Sequence, residues 1–413
     1  MTSAALSTPS PYRAGDFPLY LAARFLANVA MLVLSVAVGW QVYDLARTPL
    51  ALGLVGLAQF LPMFLLTLPA GELSDRVDPR RVLAASLLLE TACSGALLGA
   101  ALVPVRSLWL LYAVAVLFGC ARGLSGPAVR SLLPFLVPPE RLAPSIAWSS
   151  SVSQVAVISG PALGGFAYDL GPAIAYAVCM AAFLIAGIAC TSLQGRRLLP
   201  DAGAAAGRIE RVKEGVRFVR ARPVLFGAIS LDLFAVLLGG ATALLPVFAR
   251  DILHVGPSGL GMLRSAPALG AAAVAIRLAR WPLSGNVGRH LFVAVAIFGA
   301  ATIVFGLSSS FVVSLLSLVV LGASDQISVY IRSALVQFAT PDAMRGRVSA
   351  VSTLFIGASN ELGEFESGVT AALFGTVPAV VLGGVGTLAI VGIWMRIFPR
   401  LREVDRLSDA AAA

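Results

Sequence analysis

Apolar residues fall in blocks of about 20, separated by short gaps rich in Arg, Pro and Gly. A helix rises 1.5 Å per residue, so a block of that length crosses the hydrocarbon core of a bilayer. The blocks are far too long for the strands of a membrane barrel. Twelve can be marked, from 17–44 to 379–397, with 224–249 as the seventh and 348–374 as the eleventh. The pattern predicts an all-α integral membrane protein with twelve transmembrane helices.

One gap stands apart. Residues 194–222 hold eight positive and three negative side chains and divide the spans six and six. Within it, Ile209, Val212, Val216 and Val219 recur three or four apart with charges between them. That spacing predicts a short amphipathic helix lying on the membrane surface. The expected organisation is a first six-helix bundle over 1–193, a linker over 194–222, a second bundle over 223–398 and a tail over 399–413.

Composition agrees. Hydrophobic residues make up 58% of the 413 positions and charged residues 12%, and mean hydropathy is +0.89. A soluble exterior cannot absorb so much apolar surface, which excludes a cytosolic enzyme, a secreted disulfide scaffold and a disordered chain. The net charge of +9 could suggest nucleic acid. The basic residues instead sit in the short gaps, and they sit unevenly. With twelve spans both termini share a side. That side collects Arg13, Arg76, Arg80, Arg81, Arg130, Arg141, the central gap, Arg277, Arg280, Arg289, Arg345, Arg347 and the Arg396–Arg406 tail. The opposite loops hold only Arg47, Arg106 and Arg250. The positive-inside rule therefore predicts a multi-pass protein of the cytoplasmic (inner) membrane with both termini in the cytoplasm. No small-residue cleavage site follows a short apolar core near the start, so the N-terminus is expected to be kept.

The four cysteines lie inside apolar runs and read as small buried hydrophobes. Two distant histidines give no metal spacing. Neither a Gly-x-x-x-x-Gly-Lys-Ser/Thr run nor a catalytic set is present, so neither an enzyme nor a cofactor is expected, and ATP is not the energy source within this chain.

An internal repeat is visible. Arg130-Ser131 … Pro139-Glu140 matches Arg332-Ser333 … Pro341-Asp342 at an offset of 202. Near the start of each half the offset is 208, pairing Pro49 with Pro257 and Gly53 with Gly261. Six-plus-six spans with such matches argue for two bundles related by a pseudo-twofold axis.

These residues carry a resemblance to the major facilitator superfamily, over essentially the whole chain. Gly71-Glu-Leu-Ser-Asp75-Arg76-Val-Asp78-Pro79-Arg80-Arg81 is similar to its cytoplasmic signature, Gly-x-x-x-Asp-Arg-x-Gly-Arg-Arg/Lys. It departs where Asp78 and Pro79 replace a Gly and a basic residue. Gly160-Pro161-Ala162-Leu163-Gly164-Gly165 resembles the core of the antiporter signature, Gly-Pro-x-x-Gly-Gly, with Ala156 where a further glycine is expected. Arg122 resembles the superfamily's buried arginine of span 4. Leu231–Arg250 and Pro341–Gly368 look like the exporter branch that includes enterobactin and macrolide-type exporters. The resemblance implies that Asp75, Arg76, Arg80 and Arg81 latch the outward-facing state. It also implies that Gly160, Pro161, Gly164 and Gly165 form a tight, kinked contact favouring exchange, and that spans 1, 4, 7 and 10 line a central cavity.

Charges inside the spans are costly, about 2.5–3.5 kcal/mol each even on an insertion scale, so each needs a cavity, a partner or a proton. Asp232, Glu361, Glu364, Glu366, Asp325 and Glu90 are the candidates for proton coupling. Glu361 and Glu364 share a helix face, and like charges so close predict at least one held proton. Under the repeat, Arg24 aligns with Asp232 at the 208 offset. Asp232 is expected to bind the proton, with Arg24 or Arg122 competing for its charge or meeting an anionic substrate. Arg24, Asn28, Arg122 and Phe234 are the cavity candidates. Phe25, Phe60, Phe64, Phe234 and Phe248 could line it or simply pack.

The reading is a secondary active exporter: a monomer in which protons drive outward movement of a small amphipathic drug or siderophore. Sodium could serve the same carboxylates, and lipids are the remaining partners. A lipid or lysophospholipid flippase of the same fold and a non-transporting scaffold or sensor are the alternatives.

Overall fold

A computed structural model describes residues 15–103, 107–193 and 208–407. Within its helices, the side chains of residues 67–68, 71–76, 208–209, 211–212, 342–343, 350 and 353–354 are outside that description. The first half comprises α1 (Asp16–Ala46), α2 (Pro49–Arg76), α3 (Pro79–Leu102), α4 (Leu108–Leu136), α5 (Leu142–Asp169) and α6 (Pro172–Ser192). The amphipathic α7 (Arg208–Arg220) follows. The second half starts with α8 (Pro223–Leu238), a 3-10 turn (Ala241–Leu244), α9 (Leu245–Val247) and a π-turn (Phe248–Ile252). It continues with α10 (Pro257–Arg280), α11 (Val287–Leu307), α12 (Phe311–Phe338), α13 (Asp342–Phe374) and α14 (Thr376–Ile397), and ends in the short α15 (Pro399–Glu403).

Local chemistry sets the helix starts. α6, α8 and α10 begin at Pro172, Pro223 and Pro257, where the missing N–H is one the helix could not use. The Asp78 carboxylate accepts from the Arg80 N–H at 3.0 Å and caps α3, with Pro79 in its first turn. The departure from the superfamily signature at Asp78-Pro79 is thus a helix start.

Ten helical segments are long and apolar enough to cross a membrane, the seventh counted from Pro223 to Ile252. α5 and α13 complete the twelve. They match the others in length but are more polar, α5 through its serines and α13 through Asn360, Glu361, Glu364 and Glu366. Span 7 was expected to be continuous. It breaks after Leu238, where Gly239 and Gly240 leave helical geometry before the 3-10 turn. Broken helices are tolerated at membrane depth only where protein covers them, and Gly240 lies against Gly363 and Ser367 of α13.

The packing repeats itself. α1 packs on α5 and α6, and α8 on α13 and α14. α2 and α3 both pack on α4, and α10 and α11 both pack on α12; α3 meets α6 as α11 meets α14. The backbone repeats too. Gly171 before α6 and Gly375 before α14 both have positive φ, 137° and 91°. Arg47 and His254, at the ends of spans 1 and 7, both sit in the left-handed region, at 54° and 52°. The two halves meet along two equivalent seams, α5 on α10 and α2 on α13. Outward-facing Leu61, Leu65, Phe166, Leu316, Leu373 and many like them leave an apolar exterior suited to lipid.

α7 forms as its spacing predicts, but it packs on α8 and the start of α13. Glu214 and Arg347 pair at 2.5 Å, and Gly215 rests on the Arg347 backbone. Its other face, with Glu210, Lys213, Arg217 and Arg220, is exposed.

Candidate functional site

The ends of α1 and α14 that carry the termini mark one face of the molecule, the terminal face; the other is the far face. A cavity of about 300 Å³ lies in the first half towards the terminal face. Its walls combine Ala23, Met31, Met63, Leu83, Leu87 and Val129 with Tyr20, Arg24, Asn28, Glu90, Arg122 and Ser125. This is a mostly greasy pocket with a few convergent polar groups, the make-up of a small-molecule site. Three of the four residues expected in a cavity are here. The fourth, Phe234, is not: it stacks on Trp394 of α14 with ring centroids 5.3 Å apart. Phe60 packs on Phe64, and the buried Phe248 on Phe305.

Arg24 and Arg122 are held differently. Arg24 Nε donates to Ser153 Oγ at 2.9 Å and its Nη1 to the Tyr20 hydroxyl at 3.1 Å. Asn28 donates to the same Ser153 Oγ at 3.2 Å. Arg122 turns to carboxylates instead. Its Nη1 lies 3.7 Å from Glu361 Oε1 on α13, across the gap between the halves. It also interacts electrostatically with Glu90. Arg122 further borders a second cavity of about 160 Å³, with Met31, Ser35, Gln59 and Phe118.

A layer of charge crosses the molecule at this height. One turn along α13, Glu364 lies against Gly56 of α2 and interacts with Arg264 of α10. Arg264 also donates to Ser35 Oγ of α1 at 2.6 Å. Two carboxylates on one helix therefore sit between two guanidiniums, and each guanidinium also ties the halves together. Glu366 points away and accepts from the Thr370 hydroxyl at 2.6 Å.

Asp232 has a partner the sequence did not indicate. It forms an ion pair with Arg332 of α12, both side chains less than a tenth exposed. Asp232 thus meets Arg332 of its own half rather than Arg24 or Arg122; Arg24 bonds to Tyr20 and Ser153, and Arg122 faces Glu361 across the gap. Asp325 lines a small void with Asp232, Ser324 and Ser328. Gly119 and Gly322 make close crossings on α2 and α10. At the 208 offset the first half carries Arg24 where the second carries Asp232.

The far face is closed by polar contacts. The Tyr43 hydroxyl donates to Asp251, Arg250 pairs with Asp44, and Arg47 lies 3.9 Å from Asp251. Arg250 also stacks over Trp40. The π-turn presents Arg250 and Asp251 to α1, a use of that irregular geometry often met at functional positions. Asp169 accepts from the Ser258 N–H at 3.1 Å. Glycines let the seams close: Gly165 lies against Gly261 and the Pro257 carbonyl, and Gly53 against Gly368 and the Phe365 carbonyl. Gly160 and Gly164 of the antiporter-like motif face Leu32 and Val33 of α1, where a Cβ would stand 2.7 and 2.8 Å from the nearest atom. The motif therefore packs α5 onto α1 and α10 at once, and Pro161 is buried in the same contact.

Of the cytoplasmic-signature residues, Arg80 is paired with Asp78 at 3.0 Å and donates to the Leu193 carbonyl at 2.7 Å. It fastens α3 to the end of α6 within the first half. Arg81 is exposed. The side chains of Gly71, Asp75 and Arg76 lie outside the described residues. Sequence reading missed Tyr43, Asp44, Asp251, Arg332, Ser35 and Ser153. The usable signal was the 208 offset, which joins Tyr43 to Asp251 as it joins Arg24 to Asp232.

Comparison with known proteins agrees with this architecture. The enterobactin exporter of Citrobacter koseri is 26% identical over 397 residues, covering 94% of each chain. That of Escherichia coli O1:K1 is 25% identical over 387 residues, covering 92% of this chain and 91% of the relative. Among solved structures, a peptide transporter superposes with a TM-score of 0.74 at 13% identity, covering 96% of this chain and 98% of that one. A bacterial homologue of the human lysosomal transporter Spinster, inward-facing and occupied, gives 0.71 at 14% identity, covering 96% and 97%. These likenesses extend to the fold. The family described as transmembrane secretion effector matches residues 6–413. Its members are membrane transporters rather than enzymes, and the chain belongs to that family, within the major facilitator superfamily.

Proposed function

We propose that the protein is a proton-coupled exporter of a small amphipathic, siderophore-like compound, working by alternating access as a monomer in the inner membrane. Units 1–193 and 223–398 rock about the central cavity, with 194–222 as the linker. The terminal face, rich in arginine, is cytoplasmic, so the far-face contacts close the outward path. The geometry corresponds to a carrier ready to load from the cytoplasm.

The observation that carries this reading is the pairing of Arg122 with Glu361 across the two halves at the border of the cavity. A cross-half pair must part when the halves rock. An acid that loses its cation at membrane depth takes up a proton at far less cost than it stays charged. Glu361 and Glu364 can then carry protons inward while cargo moves out. Asp75, Arg76, Arg80 and Arg81 act in the opposite conformation, closing the terminal face.

The test is flux in proteoliposomes under an imposed pH gradient, using fluorescent dyes, antibiotics and catecholate siderophores, for wild type beside Glu361→Gln and Glu364→Gln. Gradient-driven flux in wild type, lost in either variant, is expected. Flux indifferent to the gradient in wild type, or unchanged coupling in both variants, overturns the proton reading.

A further inference from the structure

The two halves treat equivalent charges in opposite ways. In the second half, Asp232 is neutralised by Arg332. In the first half the corresponding positions are Arg24 and Arg130, two cations. Arg130 is exposed, but Arg24 lies in the cavity wall. Among the described residues no carboxylate pairs with Arg24; its partners are the hydroxyls of Tyr20 and Ser153. The carboxylates that do border this region, Glu90 and Glu361, both lean on Arg122. A guanidinium at membrane depth without a counter-charge is expensive to keep.

Its geometry leaves room for one. A guanidinium has five N–H donors in a planar fork. Arg24, in the cavity wall, commits Nε and one Nη1 bond, which leaves three of its five N–H donors without a partner among the described residues. Asn28, one turn further along α1, has a second amide N–H to spare after its bond to Ser153. Ser153 also anchors this arrangement from α5, its hydroxyl donating to the Ser149 carbonyl at 3.0 Å. The array is therefore built before any ligand arrives. Met31, Met63, Leu83 and Leu87 give the same cavity apolar wall.

We propose that Arg24 and Asn28 form an oxyanion-binding subsite, so that the cargo class is an amphipathic organic acid whose carboxylate docks on Arg24. This rests on the exporter reading and narrows it. Arg24 is then the specificity-determining cation, while Arg122 stays with its carboxylates. A neutral amide of the same shape offers only weaker hydrogen bonds and no charge.

The experiment is equilibrium binding to the full-length protein in lipid nanodiscs, without any gradient. The probes are 2-naphthoate and its isosteric neutral amide, 2-naphthamide. The carboxylate is expected to bind at least about tenfold tighter than the amide. Arg24→Gln should erase that preference, chiefly by weakening carboxylate binding. Arg24→Lys should retain part of it, because charge remains and the fork is lost. Equal binding of the two probes by wild type, no binding of either, or a preference that survives Arg24→Gln overturns the proposal. Should Arg24→Gln fail to fold, the wild-type probe pair and Arg24→Lys still decide it. The exporter reading fails separately. Flux of some cargo without carboxylate preference defeats the subsite alone, and carboxylate preference without any flux defeats export alone.

Discussion

Tyr43 and Asp251 stand 208 positions apart, the offset that superimposes the start of one half on the start of the other, and the Tyr43 hydroxyl donates to the Asp251 carboxylate. Equivalent positions touch only near the pseudo-twofold axis. Spans 1 and 7 therefore converge on that axis at the far face, and the contacts around it hold the two halves together there. Asp44 with Arg250 and Arg47 with Asp251 flank the central bond.

Breaking this closure should tilt the conformational balance. Arg47 is more than half exposed and its pair contributes little. Arg250 is better covered, so Arg250→Asp should weaken closure by about 1 kcal/mol or more, a several-fold shift towards the state open at the far face. The double exchange Asp44→Arg with Arg250→Asp should restore the original balance. Spin labels on exposed Thr48 and His254 would read this as a longer distance population in the single variant and its loss in the exchange. Identical distance distributions in all three proteins would contradict it.

The glycine seams predict a second route to the same shift. A Cβ at Gly165 would overlap the Pro257 carbonyl, which is backbone and cannot turn aside. Gly165→Val should push α5 off α10 at a cost of about 1–3 kcal/mol to the closed far face. The same label pair would report it. Gly126, with nothing within 4 Å, should accept alanine without effect on either distances or melting temperature.

Asp232 and Arg332 predict a change in stability more than in coupling. Removing one member of a buried pair strands the other, typically for about 3–5 kcal/mol. Asp232→Ala should therefore lower the melting temperature markedly. Replacing both by apolar residues, as in Asp232→Leu with Arg332→Met, should recover most of the loss. A thermal melt in detergent that leaves Asp232→Ala at the wild-type value would return this acid to the proton pathway.

The linker helix offers a more local test. Gly215 lies on the backbone of Arg347, with a Cβ there only 2.9 Å from its carbonyl oxygen. Gly215→Leu should lift α7 from α13. Faster amide exchange through 208–220 is the expected readout, with α8 unaffected beyond its first turn; unchanged protection of α7 would refute the docking.

The division between sequence and tertiary structure follows from range. Span number, the six-and-six division, the amphipathic α7 and the repeat were legible because hydrophobic length and offset matches are local or periodic. So was the depth of Arg24, Arg122, Glu361 and Glu364, since position within a span fixes depth. Which charge meets which was not legible. Arg332 lies 100 residues from Asp232 and Glu361 lies 239 from Arg122, and no spacing rule connects helices that only packing brings together. The break in span 7 was hidden because Gly239 and Gly240 are as compatible with an apolar helix as with its interruption until α13 is seen against them. The sequence by itself determined that charges would be buried and at what height. The fold decided their company: Asp232 was neutralised within its own half, Glu361 and Glu364 were shared across the halves, and Arg24 was left in the cavity wall with hydroxyl partners among the described residues.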